Sequence, residues 1–187
     1  MFVPFYSQHW DLDQWKSLKF TSRDEAEYWQ RSCCGVLCFL MAHDALKGVF
    51  NRDPKSISDV IREGVELGIY TDETGWSHTG LCRLAEKYGL NAERKELSYS
   101  DICSELQSGN FVIVSVKFGF RNKKSLKEKI LFWKKYGGHL VLCTGCDDSG
   151  IFVHHTSIRE AWNRKNWHVS EEEFMKGYTG RGIVIKN

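Results

Sequence analysis

The chain has 187 residues, of which 42% are hydrophobic and 27% are charged, and its formal net charge is +2. These values predict a single globular domain over residues 1–187, and the small net charge implies no nucleic-acid partner. No apolar run is long enough to span a membrane and the N-terminus lacks a signal-peptide pattern, so we expect no membrane association.

Seven cysteines are scattered along the chain. Because an odd and scattered set does not resemble a disulfide framework, we predict reduced thiols and a cytoplasmic location. Nothing in the sequence calls for a cofactor, and we expect none.

Capping residues and apolar periodicity predict a largely helical first half. Polar N-cap residues precede several apolar stretches and glycines follow them, as is typical of helix starts and stops. The predicted elements are an extended arm over residues 1–20, a short helix opened by the capping-box pattern Ser22–Glu25, a central helix from Ser32 to Lys47 ended by Gly48, a helix over Ile57–Leu67 capped by Ser56, and helices over Thr79–Tyr88 and Asp101–Gln107, the last opened by Ser100.

The second half changes to β-branched runs with turn residues between them, which predicts strands. Helices followed by strands are the order of an α+β fold. The predicted elements are strands over Phe111–Phe118, His139–Gly145 and Ile151–His155, the last two joined as a hairpin by residues 147–150, then a helix from Ser170 to Lys176 and a final strand over Gly182–Lys186.

The central helix carries Cys34 in its first turn. The positive end of the helix dipole favours a thiolate there, whereas apolar burial favours the thiol, and the sequence leaves the balance open. Cys33 is expected to point elsewhere because successive helical residues lie about 100° apart. Cys38, one turn further along, is interpreted as core.

A cysteine nucleophile needs a base, and His139 at the start of a predicted strand is the candidate. It follows two glycines, which allow close approach of other groups. The neighbouring strand ends in His154 and His155, which lie within reach as orienting groups. Gln8 and the backbone N–H of Cys34 are candidate donors to an oxyanion.

Several segments resemble the C39-like cysteine peptidases, and they occur in the family's order along most of the chain. The resemblance implies an α+β, papain-like fold in which a helical N-terminal part, with its central Cys-bearing helix, packs on an antiparallel sheet. The matching segments are Val3–Gln8, Trp29–Cys38, Gly75–His78, Gly137–Gly145 and Gly180–Ile183.

The resemblance implies that the protein hydrolyses a peptide or protein substrate. Cys34 would be the nucleophile, His139 the general base and acid, and Gln8 the oxyanion donor. The family usually has Asp or Asn where this chain has His155. A neutral imidazole could orient His139 but would stabilise its protonated form less than a carboxylate does.

Three arrangements of the third catalytic group therefore stay open. His155 forms a weaker triad, another residue supplies the group, or Cys34 and His139 act as a dyad. The other candidates for the third group are Asp147, Asp148 and Ser157.

Alternative functions also follow from the residues. The same thioester chemistry would serve an acyl transferase, and a papain-like domain with a weakened triad would serve as a binding module. Zinc binding by Cys143, Cys146, His154 and His155 is a further alternative, although ligand number and spacing are incomplete. The CxxC formed by Cys143 and Cys146 is a weaker candidate for a redox pair, because it does not open a helix.

Residues 121–135 contain seven Lys or Arg and one Glu. This segment is either a solvated excursion or a binding patch for an acidic partner. Trp10, Trp76 and Trp133 are candidates for the wall of a substrate cleft.

Overall fold

The computed structural model describes residues 2–117, 120, 138–158 and 160–187. The basic segment 121–135 and Trp133 lie outside these residues. No helix of the described part is long and apolar enough to cross a membrane.

Helices precede and flank an antiparallel sheet, so the predicted α+β class is confirmed. The helices are α1 (Arg23–Ser32), α2 (Cys34–Lys47), α3 (Lys55–Glu66), α4 (His78–Lys87), α5 (Tyr99–Gln107) and α6 (Glu171–Gly177), with short 3-10 helices at Leu12–Gln14 and Glu160–Trp162. The strands are β1 (Tyr70–Thr71), β2 (Gly75–Trp76), β3 (Asn91–Glu96), β4 (Phe111–Val116), β5 (His139–Asp147), β6 (Gly150–His155), β7 (Arg164–Ser170) and β8 (Tyr178–Lys186).

Six strands form the main sheet in the order β3–β8–β4–β5–β6–β7, and β1 pairs with β2 in a separate hairpin. Every pair of neighbours in the main sheet is antiparallel. All six residues of β4 are buried. Alternate residues explain this burial, because Ile113 packs in the core that contains α2 while Val112 and Val114 pack in a second core on the other face.

The start of α2 differs from the prediction. Ser32 does not cap α2 but is the last residue of α1, and Cys33 takes the N-cap position without a side-chain cap. The two helices nearly join, so the carbonyl of Ser32 is free to accept a hydrogen bond of 2.6 Å from the indole N–H of Trp76. Cys34 still occupies the first position of α2, and Gly48 ends the helix with a φ of +69° as predicted.

Two further caps were placed wrongly from the sequence. Ser98, not Ser100, opens α5 through a capping box with Asp101. Helix α3 begins at Lys55, so Ser56 lies inside it. In both cases a neighbouring residue with capping ability or a favourable φ starts the helix two residues earlier than predicted.

One disulfide departs from the expectation of reduced thiols. Helix α5 packs on β5 and brings the Cα atoms of Cys103 and Cys146 within 5.4 Å of each other. The two sulfurs are joined in a disulfide. This Cα separation lies in the ordinary range for disulfides, yet 43 residues separate the two cysteines in sequence. The cytoplasmic prediction depended on unpaired thiols, so the disulfide removes part of its support.

A buried ion pair ties the N-terminal arm to α2. Asp44 is fully buried and accepts hydrogen bonds from Tyr6 Oη at 2.7 Å and from Arg52 Nε at 2.6 Å. Burial raises the pKa of Asp44, but hydrogen bonds from Arg52, His43 and Tyr6 outweigh it and lower the pKa to about 2. The carboxylate therefore stays charged, and the arm that carries Gln8 is anchored.

We expect Asp44→Asn to lower the free energy of unfolding by about 3 to 5 kcal/mol, because Arg52 is left as an uncompensated, mostly buried charge. Urea unfolding at neutral pH measures the change. The matched control is Asp59→Asn, whose carboxylate is exposed and binds Lys19 at 2.7 Å; its cost should stay below about 1 kcal/mol. Equal losses in both variants would contradict the stabilising role of the buried pair.

Candidate active site

A cavity of about 540 Å³ lies where the beginning of α2 meets the beginning of β5. Cys34 and His139, which are 105 positions apart in the sequence, both line it. Trp76, His78 and Ser115 also contribute to its wall. The fold therefore brings the predicted nucleophile and the predicted base to one cavity.

Cys34 is 8% exposed at the first position of α2. Burial raises the pKa of its thiol above the ordinary value, and backbone hydrogen bonds at Leu140, Gly35 and Cys34 itself offset this only in part. Burial thus outweighs the helix terminus, and the resting side chain is a thiol. Cys33 and Cys38 are fully buried core residues.

Leu140 joins α2 to β5 next to the candidate base. Its backbone hydrogen bond with Cys34 favours the thiolate, and its carbonyl accepts from Cys38 Sγ at 3.4 Å. Two cysteines one turn apart on α2 thus contact one residue of the strand. Because His139 directly precedes Leu140, these contacts also set the position of His139 along β5 relative to Cys34.

His139 is the first residue of β5, and its Nε2 is buried with no hydrogen-bond partner in the described part of the chain. Burial and the neighbouring His155 ring lower the pKa of His139 to about 3, although a backbone hydrogen bond with Thr156 favours protonation. The imidazole is therefore neutral at physiological pH and can accept a proton.

His155 is buried at the end of β6, and its ring centroid lies 4.7 Å from that of His139. The β6–β7 ladder shifts register just before it, between Val153 and His155. Trp167 also packs against this ring, with a centroid separation of 6.0 Å. An imidazole thus occupies the place beside His139 where the sequence suggested a third group.

Two of the other candidates for the third group lie far from His139. Asp147 is at the opposite end of β5, roughly 26 Å away for eight steps of about 3.3 Å along a strand. There its carboxylate binds Ser149 and the N–H of Gly150. Asp148 belongs to the same turn, so neither aspartate can orient His139.

Gln8 is buried beside the residue that follows His155. Its N–H donates to Thr156 Oγ1 at 3.0 Å, and its side-chain Nε2 donates to the carbonyl of Gln30 at 3.1 Å. Gln8 is not among the described residues that line the cavity. One hydrogen of its amide remains available beyond the bond to Gln30.

The zinc alternative loses a ligand in the structure. Cys146 is joined to Cys103 and its sulfur cannot also bind a metal as a free thiolate. Among the described residues, no three His, Cys, Asp or Glu side chains are grouped as metal ligands would be. The predicted redox role of Cys143 with Cys146 fails for the same reason, since Cys143 is a free cysteine.

His78 and Ser115 are among the polar residues of the cavity to which sequence reasoning gave no role. His78 is the first residue of α4, and its Nε2 lies 2.7 Å from Ser115 Oγ on β4. Burial lowers the pKa of His78, and the charges of Arg181 and Arg94 lower it further. The only available signal was the segment Gly75–His78, which matched the family pattern without indicating a role.

Two of the tryptophans proposed as walls can be located. Trp76 lines the cavity, as predicted. Trp10 does not; it stacks on Phe20 with ring centroids 5.8 Å apart.

Several solved structures that are similar to this chain are described as peptidases or peptidase domains. A protein from Bacillus anthracis described as a C39-like peptidase has a TM-score of 0.56 at 14% identity, covering 82% of this chain and 88% of that one. The peptidase domain of Streptococcus ComA, a bi-functional ABC transporter involved in a quorum sensing pathway, has a TM-score of 0.52 at 15% identity, covering 82% and 90%.

A double glycine motif protease from an AMS/PCAT transporter, solved in complex with the leader peptide, has a TM-score of 0.53 at 15% identity and covers 99% and 91%. The fold is thus that of the papain-like peptidase domains of C39 type. The chain belongs to the peptidase C39-like family, whose sequence profile it matches over residues 3–184. A comparison with curated proteins gave no match.

Gly35→Ala should lower the free energy of unfolding by about 1 to 3 kcal/mol through overpacking. A Cβ at Gly35 would lie 2.6 Å from Trp76 Cγ, and Trp76 cannot move away because it also packs against Gly64. The control is Gly145→Ala, whose Cβ would meet Phe152 at an ordinary 3.6 Å. Urea unfolding followed by tryptophan fluorescence measures the stability of both variants. If Gly35→Ala is as stable as the wild-type protein, Trp76 does not pack closely against Gly35.

His155→Asn should raise the pKa of His139 from about 3 toward its ordinary 6.5, because the neighbouring ring that opposes protonation is removed. Burial, the larger cause, persists, so the pKa should stay below 6.5. Titration of histidine ring signals by NMR measures it.

The matched control for this titration is His168→Asn. His168 lies near Asp147 at the far end of the sheet, with Nε2 3.2 Å from the carboxylate. This change should leave the His139 titration unmoved. If the pKa of His139 is unchanged in His155→Asn but shifts in His168→Asn, the conclusion that the His155 ring lowers the pKa of His139 is wrong.

Proposed function

We propose that the protein is a cysteine peptidase in which Cys34 is the nucleophile and His139 the general base and acid. The observation that carries the proposal is that both residues line one cavity. In addition, Leu140, the residue that follows His139 in the chain, contacts the thiol of Cys34. Membership of the C39-like family supports the same reaction class. Peptides or proteins are the proposed substrates.

The proposed reaction begins from a neutral pair, since burial disfavours both the thiolate and the imidazolium. His139 takes the thiol proton as Cys34 Sγ forms a bond to the substrate carbonyl carbon. The C–N bond then breaks, and His139 passes its proton to the leaving amine. Water, deprotonated by His139, finally attacks the thioester carbonyl carbon and the C–S bond breaks. The acid leaves, and His139 returns its proton to Cys34 Sγ, which restores the neutral pair.

The negative charge on the carbonyl oxygen needs hydrogen-bond donors. The N–H of Cys34 is suited to this role, because the first N–H groups of a helix have no partner within it. Gln8 is the proposed second donor through its remaining amide hydrogen. Its hydrogen bond to the carbonyl of Gln30 would hold that amide in place.

His155 is the proposed third group, and it sets a limit on the rate. A neutral imidazole can orient His139, but it adds no negative charge to stabilise the protonated His139 that forms during attack. We therefore expect turnover below that of a peptidase with a carboxylate at this position. The same feature favours the second candidate function, a peptide-binding module with weak or no catalysis. Acyl transfer to an amine would use the same thioester.

Cys34→Ser should abolish cleavage, and His139→Ala should lower kcat by roughly 10³-fold or more, as for other paired nucleophile and base residues. A mixed library of synthetic peptides, read out by mass spectrometry after incubation, measures cleavage. Alkylation of Cys34 by iodoacetamide, measured on the intact protein, should slow in the His139→Ala variant.

Cys82→Ser provides the matched control. Cys82 is also buried, and burial raises the pKa of its thiol to about 11. This variant should retain cleavage and the alkylation of Cys34. If wild-type protein cleaves nothing and Cys34 reacts no faster than Cys82, the peptidase proposal fails and the binding module is favoured.

A further inference from the structure

Two arginines on the sheet side of the cavity carry charge that the peptidase mechanism does not use. They are Arg94 on β3 and Arg181 on β8, and both line the cavity that contains Cys34. In the β3–β8 ladder Arg94 lies opposite Ile183, and Glu96 lies opposite Arg181. Since alternate residues share a face, both arginines project from the same face as Ile183, which is buried in the core that contains α2.

Neither guanidinium forms an ion pair within the described part of the chain, and the carboxylate of Glu96, opposite Arg181, lies more than 4.0 Å from it. Arg94 and Arg181 have no ion pair or side-chain hydrogen bond there. A third arginine on the wall, Arg31, differs because Glu27 binds it. An arginine that faces a cavity without a carboxylate partner is available to bind one from a ligand.

The acidic residues of the cavity come from a different element. Asp72 and Glu73 lie in the turn between β1 and β2. Asp72 accepts a hydrogen bond from Tyr28 of α1. The arginines instead lie on the main sheet beside the start of α4, so the turn does not supply their counter-ions.

The charge of both arginines reaches the interior of the cavity. Together with the larger effect of burial, Arg181 and Arg94 lower the pKa of His78. His78 binds Ser115, which lies opposite Leu140 in the β4–β5 ladder. His78 and Ser115 thus form a row of side chains between the strands that bear the arginines and the strand that bears His139.

The sheet geometry gives the length of this row. Strand β8 is two strands and β3 three strands away from β5, which bears His139. With about 4.8 Å between neighbouring strands, these separations are roughly 10 Å and 14 Å. An extended peptide rises about 3.4 Å per residue, so the arginines lie about three or four substrate residues from the bond at Cys34.

We infer that the protein selects peptides with a carboxylate about three or four residues from the cleaved bond, and that Arg94 and Arg181 bind this carboxylate. The inference rests on the proposed peptidase function. Arginine suits the task because its planar fork of N–H donors matches the two oxygens of a carboxylate. The carboxylate belongs either to an Asp or Glu side chain or to the peptide's C-terminus.

Three pools of acetylated decapeptides distinguish these sources. The first carries one Glu at varied positions and an amidated C-terminus, the second carries Gln instead of Glu, and the third carries Gln with a free C-terminal carboxylate. Binding is measured by fluorescence anisotropy with the Cys34→Ser protein, and cleavage is measured with wild-type protein.

We expect the Glu pool, or the pool with the free C-terminus, to bind and react about tenfold better than the Gln pool, as for one charge-assisted hydrogen bond. The ratio should fall to about one in Arg94→Gln/Arg181→Gln, with the Gln pool unaffected. The matched control Arg23→Gln/Arg83→Gln removes the same charge from exposed positions on α1 and α4 that do not line the cavity, and it should keep the preference.

Equal binding of the three pools, or a preference that survives in Arg94→Gln/Arg181→Gln, would overturn the inference. If the protein cleaves peptides with no preference for a carboxylate, the inference is wrong but the peptidase proposal stands. If carboxylate peptides bind through the two arginines but no peptide is cleaved, the inferred carboxylate recognition stands and the peptidase proposal fails.

Discussion

The contact between the first turns of α2 and the backbone of Leu140 sets the position of Cys34 relative to His139 in the candidate site. Cys34 meets Leu140 through a backbone hydrogen bond, and Cys38 donates to its carbonyl at 3.4 Å. Since His139 precedes Leu140, a shift of β5 by one residue would turn His139 to the other face of the sheet. The contact depends on a helix that is buried nearly all round and on a strand that is covered on both faces.

Burial gives this contact its rigidity and also sets the charge state of the site. The same apolar surroundings that hold α2 on the sheet raise the pKa of Cys34 and lower that of His139. Many cysteine peptidases keep a thiolate beside a charged histidine, but here the resting pair is neutral. A second imidazole, His155, adds to this effect instead of opposing it. The family fold is thus retained around a resting pair that carries no charge.

Elements with a strong local signal were predictable, and edge strands were not. The hairpin of β5 and β6, the central helix and its stop at Gly48 follow from apolar runs and turn residues. Strands β3 and β7 were missed, and both are edges of the main sheet. Most of their residues are exposed, so they lack an apolar pattern, and pairing with β8 or β6 holds them in place. The wrong caps at Ser32 and Ser100 arose because neighbouring residues compete for the same role.

The sequence alone determined which residues are the candidate nucleophile and base, since a thiol in the first turn of a helix and a histidine at a strand start are local features. The neutral charge state, the packing of His155 against His139 and the Cys103–Cys146 disulfide follow only from the folded chain. So does the presence of Arg94 and Arg181 in the cavity of Cys34. Strand order and burial decide these features, because both join residues that are far apart in the sequence.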